Sequence, residues 1–194
     1  MRYPPEHKES TRARLLEAGG ALAKKDGFAS TGVDGLMAAV GLTSGAFYSH
    51  FRSKSELLEA IVESELGHSL DRFAGKTDEQ LTAVLESYLS TAHVDEPARG
   101  CAVTTLSTEV ARASVETREV FEHMLIRIKD ELSTHLTRDD EAWIMISQMV
   151  GAVMIARAMA SGKARESLLE AVLQRCRAML DSEPRHDAAQ RGAS

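Results

Sequence analysis

The chain is best entered at Thr31-Gly32-Val33-Asp34-Gly35-Leu36-Met37-Ala38-Ala39-Val40-Gly41-Leu42-Thr43-Ser44-Gly45-Ala46-Phe47-Tyr48-Ser49-His50-Phe51. Val33, Leu36 and Val40 recur at helical spacing and predict a short helix with one inward face. Thr31 is its candidate cap. Gly41 is its stop, because glycine takes a left-handed turn conformation without steric cost. Leu42 reads as the buried residue of the turn, and Thr43 or Ser44 as the cap of a second helix through Phe51. Two short helices joined in this way form a helix-turn-helix. The second helix of that motif enters the major groove of DNA by its N-terminal end. Here that end is Thr43, Ser44, Gly45 and Ala46, all small. Glycine inside a helix costs about 1 kcal/mol relative to alanine, so Gly45 implies a steric demand for a bare backbone. Phe47 and Phe51, four apart, face the core and leave Tyr48, Ser49 and His50 on other faces. Their hydroxyls and imidazole are phosphate-contacting groups. Lys54 adds a charge, and the helix N-termini at Thr31 and Thr43 offer free N–H groups to phosphates.

On the N-terminal side, Leu15, Ala18 and Leu22 share a face and predict a first helix over 8–25, stopped by Gly27. On the other side, Ser53 and Glu56 have capping-box spacing before Leu57, Leu58, Ile61, Val62 and Leu66, which predicts a helix over 54–70. Further helices are expected near 78–92, 100–113, 116–136, 140–161 and 165–180, with a loop over 93–99 and a break at Gly162. Only Pro97 of the four prolines interrupts the middle of the chain. Such sparse breakers in Ala-, Leu-, Glu- and Arg-rich sequence predict an all-α fold. Aromatic residues are 5%, so the core must rest on aliphatic side chains and methionine.

The net charge of −6 argues at first against a nucleic-acid partner. Its distribution reverses that. Residues 1–55 hold eight basic and five acidic side chains, a surplus of three, which leaves nine negative charges on 56–194. A basic head on an acidic body suits a DNA reader whose remainder has another task. The acidic body leans toward neutral or cationic small ligands.

No apolar run approaches the ~20 residues of a membrane span, and the N-terminus lacks the apolar centre of a signal peptide. Cys101 and Cys176 fit neither a metal spacing nor a disulfide framework, which points to a reducing cytoplasm. The seven histidines show no metal spacing, and no phosphate loop or nucleophile motif occurs. Neither an enzyme nor a cofactor is therefore expected.

The run from Gly27 to Leu58 resembles the DNA-binding domain of the TetR (TetR/AcrR) family of bacterial transcriptional regulators. Gly27-Phe28, the Thr31/Val33/Leu36 spacing, Gly41-Leu42-Thr43, Gly45, Phe47-Tyr48, His50-Phe51 and Ser53-Lys54 carry the resemblance. It implies that Thr31, Thr43, Ser44, Gly45, Tyr48, Ser49, His50 and Lys54 face a double-stranded DNA operator. Ser44 and Ser49 stand where many relatives carry larger or charged side chains, and Gly32 and Gly35 weaken the second helix. The expected organisation is a helix-turn-helix domain over 1–55, a connecting helix over 54–70, a ligand-binding and dimerisation domain over 71–182, and a disordered tail over 183–194.

Trp143–Ala160 is apolar on nearly every face, and Leu168, Leu169, Val172, Leu173, Cys176 and Leu180 follow. A helix of that kind is buried on several sides. The resemblance implies a homodimer through 140–161 and 165–180, and a palindromic operator to match it. It also implies a pocket for a small-molecule inducer, with Phe73, Tyr88, Cys101, Thr104, Thr105, His123, Met124, Trp143 and Met149 as candidate lining; each also fits plain core. The expected function is a ligand-released repressor. An activator is the alternative, as is a redox or electrophile sensor using Cys101. That cysteine follows Gly100 near a predicted helix N-terminus, where thiol reactivity rises, but it reads first as a buried inert thiol.

Overall fold

A computed structural model describes residues 5–30 and 32–182. All regular structure among them is helical: α1 (Pro5–Asp26), α2 (Val33–Ala39), α3 (Ser44–Phe47), α4 (Lys54–Phe73), α5 (Asp78–Tyr88), α6 (Thr91–Asp95), a 3₁₀ turn (Pro97–Arg99), α7 (Val103–Val110), α8 (Val115–Ser133), α9 (Asp139–Ala158) and α10 (Gly162–Leu180). Thr31 and the expected tail over 183–194 lie outside the described residues. No described helix is long and apolar enough to cross a membrane.

Side-chain caps fix many of the boundaries. The Ser53 hydroxyl accepts from Glu56 N–H at 3.1 Å, while the Glu56 carboxylate accepts from Arg52 N–H at 2.7 Å. The box therefore closes one residue earlier than the spacing predicted. Thr77 and Gln80 exchange both bonds of a capping box at the start of α5. The helix expected over 78–92 divides, because the Ser90 hydroxyl accepts from His93 N–H at 3.2 Å and starts α6. Pro97 opens the 3₁₀ turn, so 93–99 is only partly loop. Gly162 does not break the last pair of helices. It is the first residue of α10, behind the Ser161 cap, and α9 ends where Met159 turns extended.

Packing follows from these elements. Leu15 of α1, Leu36 and Met37 of α2, and Phe47 and Phe51 are fully buried and hold α1–α3 as a small unit. From there α4 runs into the body, where it lies along α8. Leu81, Leu85, Leu106, Leu132 and Met145 carry the core onward through α5, α7, α8 and α9, and α10 packs on α9 and α5. The apolar interior is one continuous cluster. A buried ion pair, Lys24 Nζ to Glu65 Oε2 at 2.7 Å, ties α1 to α4.

Candidate nucleic-acid interface

The turn between α2 and α3 is made by Gly41 at φ +73°. Gly41 N–H donates to Ala38 O at 3.0 Å, and Leu42 N–H to Met37 O at 2.8 Å. These paired bonds are a Schellman motif, which satisfies the last carbonyls of α2 and turns the chain sharply. α2 starts from Gly32, and no side chain caps it. Thr43 stands at the N-cap of α3 without a side-chain bond.

α3 is shorter than its sequence predicts. It is regular over Ser44–Phe47, after which Ser49 N–H and His50 N–H reach back three residues to Ala46 O and Phe47 O. The short form is enough to orient its side chains. Phe47 and Phe51 stay buried with ring centroids 5.7 Å apart. Tyr48, on the opposite side, is 70% exposed, its ring edge-on to Phe47 at 5.3 Å. Thr43, Ser44, Gly45 and Ser49 are exposed beside it, and His50 is half-buried. The Ser44 hydroxyl donates to the Asp34 carboxylate, and the Ser49 hydroxyl to Ala46 O at 2.6 Å. A Cβ at Gly45 would meet nothing within 4 Å, so the chain itself makes no steric demand for glycine there.

Several basic side chains of the N-terminal unit have partners within the molecule. Arg12 lies 4.4 Å over the Phe51 ring, Arg14 donates to Val40 O at 3.0 Å, and Lys24 is buried against Glu65. Lys54 is half-buried; its Nζ donates to Ala29 O at 3.1 Å and lies 4.8 Å over the Phe28 ring. Lys8, Lys25 and Arg52 are exposed. Arg52 was not among the candidates read from the sequence. Its signal is positional: it sits in the turn between α3 and α4, with its own N–H committed to Glu56 and its side chain outward.

A carboxylate of the body also holds the loop that follows α1. The Glu109 carboxylate, at the end of α7, accepts from Phe28 N–H at 2.8 Å and Ala29 N–H at 3.1 Å. Gly27, at φ +85°, leaves room for it: a Cβ there would lie 3.2 Å from a Glu109 oxygen. The other end of α7 abuts a cavity of about 770 Å³ between α4, α5, α8 and α9. Phe73, Tyr88, Cys101 and Met149 line it.

The other residues named for a pocket lie elsewhere. Thr104 is buried beside the cavity, where its hydroxyl accepts from Arg157 Nη1 at 2.7 Å. Thr105 donates to Ala102 O, Met124 is buried outside the lining, and His123 is exposed. Trp143 faces away from the body on the outer side of α9, 41% exposed. Sequence reasoning missed His93, read as loop. It lines the cavity and is fixed at both nitrogens, Nδ1 to Tyr88 O at 2.6 Å and Nε2 accepting from Cys101 N–H at 2.9 Å. Accepting at Nε2 requires the neutral ring. Burial, followed by the Arg157 and Arg72 charges, holds the His93 pKa below its ordinary value.

Residues 15–61 match the model for bacterial regulatory proteins of the tetR family. The match spans the helix-turn-helix unit, from α1 into α4. The chain is 36% identical over 64 residues to the HTH-type transcriptional regulator TtgR of Pseudomonas putida, covering 33% of this chain and 30% of that one. It is 31% identical over 85 residues to YfiR of Bacillus subtilis, an uncharacterized HTH-type transcriptional regulator, covering 43% and 42%. The aligned segment thus spans less than half the length of these relatives. The whole fold is similar to that of reduced E. coli NemR, with a TM-score of 0.73 at 22% identity, covering 88% of this chain and 97% of that one. It is also similar to a TetR regulator from Chloroflexus aurantiacus, with a TM-score of 0.67 at 24% identity, covering 87% and 95%. At these identities the likeness is one of fold.

Proposed function

We propose that this protein is a regulator of the TetR type, a homodimeric repressor that binds a palindromic operator through α3 and is released by a small molecule in the body cavity. The observation that carries the DNA reading is the split face of α3: Phe47 and Phe51 are buried, while Thr43, Ser44, Gly45, Tyr48 and Ser49 stand together in solvent. Such a face has no packing purpose within the chain. It fits a groove, with Thr43 and Ser44 near base edges and Tyr48, Ser49 and Arg52 near phosphates. His50 and Lys54 support the turn from behind. The reading is of a regulator acting in the cytoplasm, without catalysis.

Dimerisation is supported by Trp143, Ile144, Met154 and Ile155, which form an apolar stripe on the outer side of α9. Release is supported by α7, which spans from the cavity wall to the Glu109 contact on Phe28 and Ala29. A ligand that fits only one position of α7 would shift the population between DNA-binding and released states. Coupling of this kind is typically about 1–3 kcal/mol.

The test is binding to duplex DNA from the region beside the gene, followed by fluorescence anisotropy across a salt series. Arg52→Gln is expected to lower the log–log salt slope by about one, the loss of one phosphate contact. Tyr48→Ala is expected to weaken binding by roughly 5- to 30-fold with the slope unchanged, since it removes a neutral hydrogen bond. If both variants bind as the parent does, α3 is not the reading element.

A further inference from the structure

We propose that the cavity takes an amphipathic organic monoanion, with an apolar body along Phe73, Leu125, Ile128, Ile146 and Met149 and a carboxylate at the Arg72 and Lys76 side. This rests on the cavity being the ligand site. Its volume, about 770 Å³, lies within the roughly 300–1,000 Å³ of small-molecule sites.

The charges decide the class. Arg72 and Lys76 both line the cavity, and neither side chain makes a hydrogen bond or ion pair among the described residues. Of the two carboxylates in the wall, Glu96 is held by Arg99 at 3.6 Å, which leaves Asp71 alone against two cations. A third cation stands behind the wall. Arg157 is half-buried and donates only to neutral oxygens: Val94 O at 3.3 Å, His93 O at 3.2 Å and Thr104 Oγ1 at 2.7 Å. No carboxylate neutralises it among the described residues. The same field is felt at His93, which the Arg157 and Arg72 charges help keep neutral.

A cation partly withdrawn from water without a counter-charge, as Arg157 is, is unfavourable, and an anion bound near it offsets that cost. A ligand cation would add to it. The Tyr88 hydroxyl supplies a donor in the same wall. This local surplus is opposite to the lean of the acidic body as a whole. Interactions between exposed charges fade beyond about 8–10 Å in ordinary salt, so the groups in the wall outweigh the distant acidic surface.

The experiment is calorimetric titration of the whole chain with decanoate, 1-decanol and decyltrimethylammonium, three probes with one apolar chain and different heads. Decanoate is expected to bind at least about tenfold more tightly than decanol, and the ammonium most weakly. The Arg72→Gln/Lys76→Gln variant, which alters exposed or half-buried side chains and is checked for an unchanged melting temperature, should lose that preference. Decanol or the ammonium binding as well as decanoate would overturn the proposal. So would the absence of decanoate binding, or a preference that survives in the double variant. Anisotropy of bound DNA separates this from the inducer reading. Release by decanol as readily as by decanoate overturns the anion and keeps the inducer. Selective decanoate binding without release keeps the anion and overturns the inducer.

Discussion

Gly41 and Gly45 lie four residues apart, and the fold requires glycine only at Gly41. At Gly41 the backbone is left-handed, and a Cβ would meet nothing within 4 Å, so the whole cost of a side chain is conformational. Gly41→Ala should destabilise the protein by about 1–2 kcal/mol, read as a lowered urea midpoint at constant slope. At Gly45 the space is equally open and the backbone is helical. Gly45→Ala should therefore be neutral or stabilising by up to about 1 kcal/mol, yet weaken DNA binding. If the variant binds DNA unchanged, the bare backbone at Gly45 has no role in the groove.

His93 offers a test by pH. Its folded pKa lies below the ordinary value near 6.5, so folding favours the neutral ring. Above that value both states are neutral and the ring contributes no pH dependence. As pH falls below it, the unfolded chain takes up a proton that the folded chain resists, and stability is lost. The melting temperature should fall more steeply from about pH 7 to about 5.5 in the parent than in His93→Gln. Equal slopes would mean that the ring is not held neutral. None of this was legible in the sequence. His93 reads as a loop residue before Pro97, and only the fold brings Cys101 N–H and Tyr88 O to its two nitrogens.

Among the elements, α7 connects the two ends of the molecule. Val103, in its first turn, lines the cavity, and Glu109, in its last, holds the N–H groups of Phe28 and Ala29 just ahead of α2. Lys54 grips the same loop from the other side through Ala29 O. Glu109→Ala should leave these two amides without an acceptor. Hydrogen exchange at Phe28 and Ala29 should then rise by at least about tenfold, with core amides of α8 unchanged. Unaltered exchange would show that the contact does not hold the loop. A helix near 100–113 was expected from the sequence, but the role of α7 was not, because the partners are 81 and 80 residues apart in the chain. The same limit applies to α3. Its starting point and buried phenylalanines were plain, while its early end, where Ser49 and His50 N–H reach back three residues, was not.

For the molecule as a whole, α9 is the unusual element. Apolar residues surround it: Met145, Met149 and Val153 are buried inward, while Ile144, Met154 and Ile155 remain 42–54% exposed. Large exposed apolar side chains in register mark an interaction surface. Ile155→Asp should convert a dimer at micromolar concentration to a monomer in light scattering, with the melting temperature little changed. A parent that is already monomeric would remove the palindromic operator from the proposal.

Local sequence was enough for the all-helical class, the helix-turn-helix with its glycine turn, and the small residues at the front of α3. Each of these rests on neighbours a few residues apart, where helical periodicity and backbone conformation act directly. Which charges remain available was settled only when the chain folded. Folding buried Lys24, committed Arg14 and Lys54 to backbone carbonyls, left Arg52 outward, and gathered Arg72, Lys76 and Arg157 around one cavity. The sign of a surface or a pocket depends on which side chains meet across the fold, and composition averages over those meetings.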